Sequence, residues 1–211
     1  MLELMAAMAI SMILILVVGV LLIAGQRSWT QTYKSAFDRI KQDAEIVMIT
    51  FGSMGRRANR LNYVVYTENG GTYVPAQPAT SDEEVVWGDA VEFRYWDVEL
   101  DQSDTQQLID VTKQATAYAF FYLDDDTLKV DFGSYPPGAV PAGGGSRNTA
   151  DVTTTLAENV TVDPNTGPFS HTTVGGIGQG SVRINVTLTD PEDGDSITVM
   201  TSTFLRNIWP R

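Results

Sequence analysis

The chain has no cysteine, a single histidine and no proline before Pro75. Without thiols there are no disulfides, zinc-thiolate sites or cysteine nucleophiles. One histidine rules out a histidine-clustered metal centre. His171 lies beside Ser170 in a Gly/Thr/Ser stretch, and reads as a solvent-exposed loop side chain. Recruiting Asp163 to make a triad fails for want of a nucleophile-elbow context. There is no Walker loop and no GxGxxG fingerprint. The chain is therefore read as non-enzymatic. Cations are scarce as well: 14 Lys and Arg stand against 26 Asp and Glu, for a net charge of -12. Such a surface is unsuited to nucleic acid or to anionic membrane, both of which need clustered Lys and Arg.

What the chain does have is a long apolar opening. From Leu4 to Gly25 only Ser11 interrupts it. At 1.5 Å per residue the run is roughly 33 Å long, against roughly 30 Å of bilayer hydrocarbon, so a membrane span over 1–25 is expected. The segment has neither the basic n-region nor the small-residue cleavage site of a secretory signal peptide. A carboxylate at its head, Glu3, is costly there unless it is paired, protonated or snorkelled, which makes it a candidate functional group.

Beyond Gly25, Trp29, Tyr33, Phe37, Ile40, Ala44, Val47 and Phe51 recur at three- and four-residue spacing, one face of an amphipathic helix over 26–55. The absence of proline allows one helix from the N-terminus to about Met54, roughly 80 Å long. Gly52, Gly55 and the Arg56, Arg57, Arg60 cluster mark its end, with cations against the negative pole of the helix dipole.

From Leu61 the period becomes two. Asn69-Gly70-Gly71, Asp124-Asp125-Asp126 and the acidic run Asp190 to Asp195 each separate two strand-like segments, giving three hairpins. Val91, Phe93 and Tyr95 alternate with Glu92, Arg94 and Trp96, as in a strand with one buried face. Residues 133–145 and 165–180 read as long surface loops. The predicted fold class is α+β: a long N-terminal helix, apolar in its first half, with an antiparallel sheet packed on its second half in a head over 56–211.

The stretch Leu2-Glu3-Leu4-Met5-Ala6-Ala7-Met8-Ala9-Ile10 resembles the N-terminal helix of type IV pilins and pseudopilins. The glutamate stands two residues earlier than in that family's pattern, the helix lacks the family's common proline kink, and the leader ending in glycine is not seen. Ser202 to Asn207 resembles the terminal strand of W-type minor pilins and J-type pseudopilins. The resemblance implies a structural subunit of a type IV pilus-like extracellular filament. Its precursor would wait in the inner membrane, be processed by a prepilin peptidase and be handled by a pilus or secretion assembly machine. It further implies that Glu3 neutralises the N-terminal amine of a neighbouring copy, with Leu4, Ile10, Leu14, Val18 and Leu22 in the filament core. Alternatives are a minor pilin or secretion pseudopilin at a filament tip, and a membrane-anchored adhesin that never polymerises.

No cofactor is expected. The one candidate ligand is calcium, for which Asp190, Glu192, Asp193 and Asp195 offer hard oxygens on a tight turn, although their spacing is not that of an EF-hand and acidic turns also arise from turn propensity alone. Asn159-Val160-Thr161 and Asn185-Val186-Thr187 fit the glycosylation acceptor pattern, the second inside a predicted strand.

Overall fold

The computed structural model of the protein describes residues 2–58, 63–76, 85–96, 115–135, 145–149, 151–172 and 181–204. Within these, the side chains of 2–11, 13, 15, 28–38 and 204 lie outside the description. One helix, α1 (Leu2–Arg57), is followed by eleven described strands. These are β1 (Tyr63–Asn69), β2 (Thr72–Pro75), β3 (Val85–Gly88), β4 (Ala90–Tyr95), β5 (Ala117–Asp124), β6 (Thr127–Ser134), β7 (Val152–Ala157), β8 (Val160–Thr161), β9 (Phe169–Thr172), β10 (Ser181–Thr189) and β11 (Ser196–Phe204).

The strands form two antiparallel sheets. One has the order β2-β1-β4-β5-β6-β7; the other runs β11-β10-β9-β3, with β8 also paired to β10. This overturns the expected fold class. The described head is a two-sheet β structure and not a single sheet wrapped on the second half of a helix. Of the described α1 side chains, Ile40, Ala44, Val47 and Phe51 enter its core; those of Trp29, Tyr33 and Phe37 lie outside the described residues. Two sheets form because apolar side chains of both line the same core, Val91, Phe93 and Phe121 from one and Phe169, Val182 and Ile184 from the other.

The membrane expectations are corrected too. Among the described residues no helix is long and apolar enough to cross a membrane. The span over 1–25, the pilin-type membrane helix and the inner-membrane precursor that depended on it are withdrawn.

Each of the three hairpins has local turn chemistry behind it. At β1–β2 the two turn residues Gly70 and Gly71 take φ of 60° and 82°, the left-handed region that lets a two-residue turn follow the strand twist. At β5–β6 Asp125 takes φ 54°. At β10–β11 nine residue pairs run from Ser181↔Phe204 to Thr189↔Ser196.

Three further strands were not expected: β9 falls in the stretch 165–180 that reads as loop, and β3 and β7 in stretches to which the sequence reading assigns no element. β3 and β9 pair with each other across 80 intervening residues of chain, and β7 pairs with β6. Strands β3 and β4 are separated only by Asp89, so one bent length of chain serves both sheets. The corner is held by Asp89 N–H donating to Tyr66 O at 2.7 Å, and a Cβ on Gly88 would stand 2.5 Å from that same carbonyl.

The main core lies between the sheets and the last turns of α1. Ile40, Ala44, Val47 and Phe51 face it at helical spacing. Phe51 meets Phe93 and Phe121 edge-on, with centroids 5.4 and 5.5 Å away, and lies nearly parallel to Phe169 at 6.2 Å. A fully buried phenylalanine with this many ring partners leaves a cavity that cannot collapse. Phe51→Ala is expected to lower folding stability by about 3–5 kcal/mol, read as a shift of the urea midpoint at unchanged m-value.

Candidate functional site

Two surfaces and one buried network carry the chemistry of the described residues. The first surface is the apolar segment of α1. Its described side chains from Met12 to Ile23 are exposed apart from the half-buried Gly19: Leu14 is 59 % and Leu22 66 % accessible. Leu16, Val17, Val18, Val20, Leu21, Leu22 and Ile23 are spread around the whole helix at 100° per residue, so the helix is apolar all round and not on one stripe. A helix of that kind is normally buried on every side. Of the sequence-predicted assembly residues, Leu14, Val18 and Leu22 lie on this segment, while the side chains of Glu3, Leu4 and Ile10 fall outside the described residues, as do those of Trp29, Tyr33 and Phe37.

The second surface is a cleft of about 320 Å³ between α1 and the loops flanking β10, lined by Arg39, Ile40, Asp43, Glu158, Leu188, Asp190 and Glu192 among others. Arg39 is tied to Glu158 at 2.9 Å. Burial pushes the Asp43 carboxyl above its usual range, against the pull of Arg39. Two of the four calcium candidates, Asp190 and Glu192, line this cleft, but the geometry of the acidic run is that of a turn. The Asp190 carboxylate accepts the backbone N–H of Glu192 at 2.7 Å and of Asp193 at 3.4 Å, and Asp190 N–H donates to Asp195 O. That capping explains why Asp190 is buried although charged. Among the described residues no group of three or more His, Cys, Asp or Glu side chains could hold a metal ion.

The buried network was missed by sequence reasoning. Strand β4 is buried on both faces, contrary to the expected single buried face. Val91 and Phe93 enter the main core. Glu92, with no accessible surface, points to the opposite face of the six-stranded sheet among Tyr66, Tyr118 and Phe120. Tyr66 Oη donates to Glu92 at 3.0 Å and Arg94 forms an ion pair with it. Burial dominates the balance, and pushes the Glu92 carboxyl above its usual range.

On β6, Asp131 is 1 % exposed and accepts from Arg147 at 2.8 Å, Thr153 at 2.6 Å and Tyr122 at 3.3 Å. Arg147 also lies over the Tyr122 ring at 4.8 Å. The available signal was β5, Ala117 to Leu123, whose residues are apolar on both faces and which therefore had to be covered on both.

His171 differs from its expected place as well. It sits on β9, half-buried, with Nδ1 3.1 Å from Tyr63 Oη and the two rings edge to face at 5.6 Å. Ser170 is its neighbour on the strand but points to the other face, so the two do not form a catalytic pair. Asp163 caps its own turn by accepting Asn165 N–H at 2.9 Å.

No protein-family model, curated protein or solved structure matches the chain.

Burial disfavours the imidazolium and lowers the His171 pKa from 6.5. A depressed folded-state pKa means that the unfolded chain takes up the proton first. The stability contributed by neutral His171 is thus complete above about pH 6.5 and is lost as pH falls through the folded value. The chain has one histidine, so a single imidazole resonance followed by NMR titration checks this. The midpoint is expected below 6.5, and Tyr63→Ala, which opens the site to water, should move it back up.

Proposed function

We propose that the chain is a non-catalytic structural subunit that polymerises with copies of itself through the apolar segment of α1, giving a filament of type IV pilus-like build. The observation that carries this reading is the all-round exposure of large apolar side chains between Met12 and Ile23. A dimer would cover one side of such a helix; only neighbours on several sides cover it all. Each Leu, Ile or Val moved from water into a packed interface contributes about 1.5–3 kcal/mol. A handful per copy therefore offsets an association cost of about 4–15 kcal/mol. In this reading Glu3, at the head of the same helix, supplies the charge that selects one stagger between neighbours. The head adds a large net negative charge, which keeps free copies apart until the helices engage.

The test is sedimentation of purified full-length chain under native conditions, with negative-stain imaging of the pellet. Leu14→Asp and Leu22→Asp are expected to abolish pelleted filaments while leaving the urea transition of the head in place, because neither side chain touches the core. Filaments persisting in both variants would sink the proposal.

A further inference from the structure

The outer face of the five-stranded sheet is set apart from the rest of this acidic molecule. The alternation of β10 sends Val182, Ile184, Val186 and Leu188 into the core and Arg183, Asn185 and Thr187 outward. Strand pairing then places Trp87, Ser170, Arg183 and Ser202 in one row across β3, β9, β10 and β11. Trp87 and Arg183 are two strand spacings apart, about 10 Å, with the buried Ser170 between them. Met200, opposite Asn185, stands diagonal to Arg183. Trp87 is 38 % and Met200 69 % accessible, and Arg183 is exposed.

None of the outward positions on these four strands is Asp or Glu. A face that exposes Trp, Met and Arg among the described residues has the composition of an interface centre, where such residues are enriched and carboxylates depleted.

Copies that each carry a net charge of -12 repel one another wherever like surfaces meet. The carboxylate-free face avoids that cost against any acidic partner surface, and the cleft beside α1 is one. Among the described residues four carboxylates line it, and the one cation there, Arg39, is already paired with Glu158. We propose that the two surfaces dock on each other between copies, with Arg183 of one copy entering the acidic cleft of the next and Trp87 and Met200 sealing the contact. Because the two patches differ, the contact is heterologous and propagates from copy to copy without closing a pair. It rests on the reading of the chain as a polymer subunit and names the head-to-head contact within that polymer.

The absence of native cysteine makes the test direct. In full-length chain, Ser202→Cys is combined with Glu192→Cys, one on each surface, and the preparation is oxidised before it is sedimented, so that ladder and pellet are read separately. A ladder of disulfide-linked multimers is expected, and Arg183→Glu in the same background should reduce it by about tenfold or more, because the reversal puts like charges in the contact. Arg183→Gln should give an intermediate loss. A pellet that yields no ladder, or a ladder indifferent to Arg183→Glu, overturns the docking and leaves polymerisation through α1 standing. A ladder without a pellet supports the docking and removes the α1 polymer, and failure of both removes both.

Discussion

The insertion of Phe51 between the sheets is the contact on which the rest of the molecule depends. Its ring touches Phe93 and Phe121 from one sheet and Phe169 from the other, so helix and both sheets share one aromatic cluster. Edge-to-face pairs of this kind add about 0.5–1.5 kcal/mol each beyond the area they bury. The cluster also fixes the direction in which α1 leaves the head. Ile23 lies 17 residues upstream of Ile40, about 26 Å along the helix, so the exposed apolar segment projects beyond the described core. A surface meant for other copies is thereby held clear of the surface that folds the chain.

The parts of the fold legible in the sequence are those set by local chemistry. The glycines at 70 and 71 fix a tight turn, and the spacing Ile40, Ala44, Val47, Phe51 fixes a helix face, whatever else surrounds them. The parts that were not legible depend on distant chain. β3 finds its partner β9 beyond 80 residues, and no turn residue between them announces it. β7 contains Val152-Thr153-Thr154-Thr155, a β-branched run that does signal a strand, but its alternation is hidden because four successive residues are exposed. One sheet became two because strand order, unlike strand existence, is decided by which faces need covering.

The same limit governed the candidate site. His171 was placed in a loop because glycines and threonines surround it, while the structure pairs it with Val182 and Val86 inside a sheet. Glu92 and Asp131 alternate with apolar neighbours as exposed strand residues do, and only the second aromatic layer of Tyr66, Tyr118, Phe120 and Tyr122 shows that this face is closed to water. Their arginine and tyrosine partners follow from burial: a carboxylate removed from water is tolerated when each of its oxygens is met by a donor. The apolar helix, by contrast, was visible from the first residues, because composition alone declares a surface that water disfavours.

The corner at Asp89 ties the two sheets together in a way that buried area does not. Since β3 and β4 are one length of chain with a single residue between them, sliding β4 by one position against β1 or β5 would force β3 to slide against β9. Either slip alone would turn core side chains outward, and the corner couples the two errors. The head thus has one alignment to find, not two, and misalignment in either sheet is proofread by the other.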